Sequence, residues 1–237
     1  MKSNKFKTAS EFVAELKSDP VFMNRKRGFE EKRAEQVEQN RLIALPILEE
    51  LREAGFDFES LHELQHSGVS YTMAIPILLK WLPLITNENV KGAIVSLLGV
   101  RGAKPAAVIP LINEFLKISD SHSGLKWAIG NALGSISDDR VFDTISELVQ
   151  NPGHGRSRQM LVLAFGKMKN PKAVEILIGL LDDEDVSGHA VTALAKLKSD
   201  RALPHLQRFA EDPRTWVRRV AKKAVALSYH KGGVKGS

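Results

Sequence analysis

Five consecutive residues could do metal chemistry. His62-Glu63-Leu64-Gln65-His66 is an H-E-x-x-H string. On a helix it sets two imidazoles one turn apart, with a carboxylate between them to act as base on a zinc-bound water. Glu88 is the one distant residue that suggests itself as a third ligand. The surroundings argue against this reading. The segment is short, it ends at Gly68, and no strand-rich stretch exists to build the cleft that zinc proteases use. A pattern with two free positions also arises by chance. The expectation is an incidental or structural string, with no metal, no cofactor and no catalytic residue.

The second pattern is cationic. Lys91, Lys126, Arg158, Ser187 and Arg218 fall at equivalent places in successive segments, and four of the five are basic. Trp127, Gln159, Arg219, Lys222 and Lys223 stand beside them. A basic ridge with an aromatic in it can follow a phosphate backbone or an acidic protein segment. The competing reading is internal, with each cation paired to a turn acid of an adjacent repeat: Asp120, Asp182, Asp185 or Asp212. The group Arg218, Arg219, Lys222 and Lys223 has few acids near it and is the stronger binding candidate. Residues 201–237 hold 9 Lys/Arg against 2 Asp/Glu, more excess charge than the net +6 of the whole chain. Such an end suits an anionic partner, or simply a soluble cap.

The candidates for partner contact are therefore Lys91, Lys126, Trp127, Arg158, Arg218, Arg219, Lys222 and Lys223. The expected partner is a protein or peptide of acidic character, and nucleic acid is the alternative. Trp81, Trp127 and Trp216 over a basic face would also suit a DNA-repair glycosylase built of helical repeats. No matching Asp–Trp motif is visible, however, and Trp81 lies in the apolar run Leu79 to Leu84. Asn151-Pro-Gly-His-Gly-Arg156 has turn chemistry, and its two glycines with Arg156 could make an anion nest. A plain interhelical loop is the simpler reading.

The elements that carry these residues repeat. First helices show an X-Pro-X signature at Leu45-Pro46-Ile47, Ile75-Pro76-Ile77, Ile109-Pro110-Leu111 and Leu203-Pro204-His205, and matching frames fall near Thr144 and Glu175. Proline is tolerated in a first turn, where its missing N–H had no partner. Second helices align on a small residue: Gly99, Gly134, Gly166, Ala195 and Ala226. Glycine within a helix is unfavourable by about 1 kcal/mol against alanine, so its recurrence implies close backbone approach. Core columns run Val90, Leu125, Ser157, Val186, Val217 and, four residues on, Ile94, Ile129, Leu161, Ala190, Ala221. Their spacing is that of one helical face.

Self-similarity at roughly 29 to 35 residues, with no strand periodicity, predicts an all-α solenoid of about five to six helix pairs. The expected division is a helical lead-in or arm over 1–41, an array over 42–229 and a tail over 230–237. Within the lead-in, Ser10 to Lys17 reads as a short helix stopped by Pro20, and 24–41 as a solvated helix running into Leu42–Leu51. Phe56 to Val69 reads as a degenerate, capping unit. The absence of cysteine rules out disulfides and thiolate metal sites, and the N-terminus lacks a signal-peptide core. The apolar run Met73–Ile85 is too short to span a bilayer. A cytoplasmic monomer without integral membrane association is expected.

The array resembles HEAT repeats, most closely the short bacterial type related to phycobilisome lyases. The resemblance rests on the turns Asp182–Asp185 and Glu211-Asp212-Pro213, on Val217-Arg218, Ala221 and Ala224-Val225, and on Asp200-Arg201-Ala202-Leu203-Pro204. It covers Leu42 to Tyr229 and is strongest from Gly134 onward. It implies second helices on the concave side and is specific for the fold, but says almost nothing about activity; the expected reading is a right-handed solenoid acting as a binding module more than as an enzyme. Two departures stand out: Ser187-Gly188 where the family prefers arginine, and polar Ser157 at a first core position.

Overall fold

The structure is a computed structural model that describes residues 8–119 and 123–232, with side chains through Leu227. All regular structure among the described residues is helical. The chain divides between Pro46 and Ile47 into two units.

The first unit holds α1 (Ala9–Ser18) and most of α2 (Pro20–Glu53). Thr8 caps α1 and Glu11 returns the bond, a reciprocal pair that satisfies two otherwise orphan N–H groups. Pro20 does more than end α1. It opens α2, where a residue without an N–H fits the first turn. The polar stretch 24–41 is helical and almost wholly exposed, and it continues into the apolar segment without a break.

The second unit begins with the last turns of α2, where Ile47, Leu48 and Leu51 are buried, and with the short α3 (Leu61–His66). Five helix pairs follow: α4 (Ile75–Trp81) with α5 (Glu88–Leu98), α6 (Lys104–Lys117) with α7 (Gly124–Ile136), α8 (Phe142–Gln150) with α9 (Gln159–Phe165), α10 (Lys172–Gly179) with α11 (Ser187–Leu197), and α12 (Leu203–Gln207) with α13 (Thr215–Gly232). Short 3-10 turns introduce most first helices. The columns read from the sequence are the core. Val90, Leu125, Ser157, Val186 and Val217 are buried, and so are Ile94, Ile129, Leu161, Ala190 and Ala221.

The second helices pack on one another in sequence, from α3 on α5 through to α11 on α13, and no first helix packs comparably on the next. The small-residue column explains how. A Cβ on Gly99 would stand 3.3 Å from the Ala132 Cα, one on Gly134 2.6 Å from the Met160 carbonyl oxygen, and one on Gly166 3.0 Å from the Ala193 Cα. Each glycine therefore admits the backbone of the next second helix. The second helices therefore form the closely packed layer of the stack.

The proline column needs correcting. Pro76 and Pro204 lie in the first turns of α4 and α12, but Pro46 and Pro110 lie inside α2 and α6. In α6 the first-turn proline is Pro105. The repeat frame falls there because buried Ala103 precedes it, as buried Ala74 and Ala202 precede Pro76 and Pro204. Two of the three column glycines, Gly99 and Gly166, are likewise C-caps rather than interior residues.

Candidate binding face

The basic ladder turns inward. Lys91 Nζ is 2.6 Å from Glu114 Oε2, and Lys117 Nζ meets the other oxygen at 2.5 Å. Burial pushes the Glu114 carboxyl up, but the two ammoniums outweigh it and hold the group below the ordinary carboxylate range. Lys126 is 2 % exposed. It donates to the Ile118 carbonyl at 2.6 Å, lies 3.2 Å from His154 Nδ1, and sits 4.9 Å from the centre of the Phe115 ring. Arg158 is 1 % exposed and donates to the Val149 carbonyl at 2.8 Å, the Gly155 carbonyl at 3.0 Å and Asp183 Oδ2 at 2.7 Å. Arg218 donates to the Asp212 carbonyl at 2.6 Å.

These acceptors share a place in the repeat. Ile118 caps α6, Val149 is in the last turn of α8, and Asp212 closes the 3-10 turn after α12. Helix ends leave carbonyls without intrahelical donors and carry partial negative charge. From Lys126 onward the ladder supplies one cation to each such end, except at Ser187. The ladder is thus a capping device, and Lys91, Lys126 and Arg158 present no ammonium or guanidinium to a partner. The acids used also differ from those expected. Arg158 takes Asp183, Asp182 pairs with Arg208, and Asp185 with Arg156. Asp120 lies outside the described residues. The Arg156 contact with Asp185, at 3.4 Å, leaves the 151–156 loop with an acid beside the arginine of the imagined anion nest.

The other candidates face solvent. Trp127 is 42 % exposed, and Arg219, Lys222 and Lys223 are exposed on α13. Lys222 reaches Glu211 at 3.2 Å across an open surface, where an ion pair contributes little. Trp81 is half-buried and donates from Nε1 to Glu50 Oε2 at 2.7 Å.

The H-E-x-x-H string is explained by helix capping. Ser60 Oγ accepts from the Glu63 N–H at 3.1 Å, and the Glu63 carboxylate accepts from the Glu59 N–H at 2.8 Å. The carboxylate that would serve as base is thereby held at the start of α3. The two imidazoles stack at 4.2 Å, with His66 Nδ1 2.8 Å from the His62 carbonyl. Among the described residues no three His, Asp or Glu side chains converge as metal ligands.

A groove of about 350 Å³ runs across α7, α9 and α11 on the second-helix face. Asn131 and Ser135 line it from α7, Met160, Leu163 and Lys167 from α9, and Thr192 and Lys196 from α11. By helical register the same exposed stripe continues to Arg219 and Lys223 on α13. Lys167 Nζ donates to the Gly134 carbonyl at 3.0 Å. Burial, and then the nearby Lys196 ammonium, push the Lys167 amine below its usual value. Sequence reasoning passed over Lys167 and Lys196, although each directly follows a member of the small-residue column. A second signal was also there. From Gly124 on, α7, α9, α11 and α13 contain no Asp or Glu; the acids lie in the turns and first helices.

Among the described residues no single helix is long and apolar enough to cross a membrane. The sequence model for HEAT repeats matches residues 153–226. No curated protein and no solved structure matches the chain, so the finer likeness to the phycobilisome-lyase type gains no support. The matched stretch runs from just before α9 into α13, taking in α9 and the last two helix pairs, and the pairs before it keep the same buried columns and the same close second-helix packing; residues 153–226 carry HEAT repeats.

Proposed function

We propose that the protein is a non-catalytic binding module that holds an acidic segment of a partner protein along its second-helix face. One observation carries this reading: the second helices from Gly124 on contain no acid, while their exposed stripe holds Lys167, Lys196, Arg219 and Lys223. Mixed-sign surfaces are the norm on soluble proteins. A one-sign face raises the local concentration of an opposite charge and steers its approach. Trp127 and Arg219 stay within the proposed surface, and Arg218 and Lys222 lie at its edge. A cytoplasmic monomer fits the proposal, since a chain without cysteine needs no oxidising compartment.

Affinity capture with the native chain and with an Arg219→Glu, Lys223→Glu variant, each with and without nuclease, tests the reading. Captured acidic protein should survive nuclease and disappear with the charge reversal. Capture abolished by nuclease would assign the face to nucleic acid instead. Capture indifferent to the reversal would leave α13 as a solubilising cap.

A further inference from the structure

We infer that Lys167 and Lys196 form a clamp for a single carboxylate, an Asp or Glu side chain of the partner segment. The inference rests on the proposed acidic partner and names the point at which it is held.

The pairing of two cations is imposed by packing. Gly166 lets α9 and α11 approach until its would-be Cβ stands 3.0 Å from the Ala193 Cα. Lys167 follows Gly166 and Lys196 follows Ala195, so the close approach brings both lysines to the lining of one groove. Lys167 is anchored there by its bond to the Gly134 carbonyl, which occupies one of its three donors. No carboxylate among the described residues pairs with either lysine. Like charges held together without a counterion repel, and an anion between them removes that repulsion while gaining two charge-assisted bonds.

The floor of the groove selects the source of the anion. Met160 and Leu163 are half-buried and apolar. A phosphodiester backbone has nothing to place on such a floor and wants stacking platforms or arginine forks. A peptide carries apolar side chains beside its acids. An extended chain rises about 3.3 Å per residue and packed helices lie about 8–10 Å apart, so about five to six residues cross from α7 to α11.

The test uses full-length protein and labelled peptides of about ten residues, one alternating Glu and Leu, one alternating Gln and Leu, with oligo-dT as a third probe. The native chain should prefer the Glu/Leu peptide. Lys167→Gln with Lys196→Gln should weaken it about tenfold. Lys196→Gln alone, which keeps the Lys167 anchor, should weaken it about threefold, with unchanged thermal melts. Bound peptide should also shield Lys167 and Lys196, but not exposed Lys169 and Lys198, from a limiting acetylating reagent read by mass spectrometry. Native affinity in the double variant, or acetylation without shielding, overturns the clamp; if Arg219→Gln with Lys223→Gln still weakens binding, the acidic-partner reading stands. No Glu/Leu binding by the native chain overturns both. Preference for oligo-dT overturns the carboxylate assignment.

Discussion

The ring of Trp216, at the start of α13, fills the space a side chain on Gly188 would need: a Cβ there would stand 2.7 Å from Trp216 Cζ2 and closer still to Cη2. His189 meets the same ring edge-on at 5.4 Å between centres. One residue earlier, Ser187 Oγ accepts from Arg214 Nη2 at 3.1 Å, so an arginine from the following repeat serves the place where the basic ladder lacks its own cation. Asp212 orients that arginine with two further bonds. The departure Ser187-Gly188-His189 is therefore one half of a fitted pair, and Arg214 with Trp216 is the other.

Gly188→Ala should destabilise the array by about 1–3 kcal/mol, the range for overpacking. In a Trp216→Leu background the same change should cost less, the remaining strain falling on Val217 Cγ2, 2.9 Å from the added Cβ, against a gain of up to about 1 kcal/mol for alanine in a helix. Urea melts of the four proteins close a double-mutant cycle. Coupling below about 0.5 kcal/mol would mean that the indole swings aside freely.

The glycines of the second helices should divide by what they face. Gly134→Ala drives a Cβ to 2.6 Å from a backbone oxygen of α9, which only a helix shift can relieve. A loss of about 2 kcal/mol is expected. Gly92 meets nothing closer than Leu125 Cδ1 at 4.0 Å. Gly92→Ala should be neutral, or stabilising by up to about 1 kcal/mol. Equal effects at the two sites would remove close packing as the reason for the column.

Repeat architecture was legible in the sequence because it rests on periodic burial, and the columns through Val90 and Ile94 can be read off by counting. The glycine column could be read for the same reason. The frame of α6 could not, because Pro105 and Pro110 both satisfy a local proline rule, and only the burial of Ala103 ranks them. The ladder showed its periodicity but not its direction. A lysine at a regular helical position reads alike whether it points outward or back to a helix end, and Lys126 does the latter because Ile118 leaves a bare carbonyl within reach. Lys167 and Lys196 were hidden for the opposite reason: they look like ordinary solvent-facing lysines until two helices bring them together.

Arg158 should be the most sensitive charged residue in the array. Its fork satisfies two backbone carbonyls and Asp183 with almost no exposure. Arg158→Met leaves these acceptors without donors, and a loss of about 3–5 kcal/mol is expected. Arg158→Lys should recover only part of it, since one ammonium cannot reproduce the planar fork. Denaturant midpoints for the three proteins decide this, and full stability in the lysine variant would reduce Arg158 to a point charge.

Acidification below about pH 6.5 should weaken the fold through two buried histidines. His154 is held below the ordinary histidine value of 6.5 by burial, then by Lys126 and Arg158, and His189 by burial and then Arg214. Phe115 and Trp216 cover their rings and offer no acceptor for a new proton. Both imidazoles give up their proton at a lower pH in the fold than in the unfolded chain, so just below pH 6.5 the unfolded chain binds more protons than the folded one. Stability then rises with pH across that window and is lost as pH falls from about 6.5 toward the depressed folded values. Asp212, kept below 3.8 by Arg214, loses its contribution only at much lower pH. Urea melts at intervals from pH 7.5 to 5 should show the decline, and His154→Gln with His189→Gln should flatten it. A native-like slope in the double variant would assign the proton uptake to other groups.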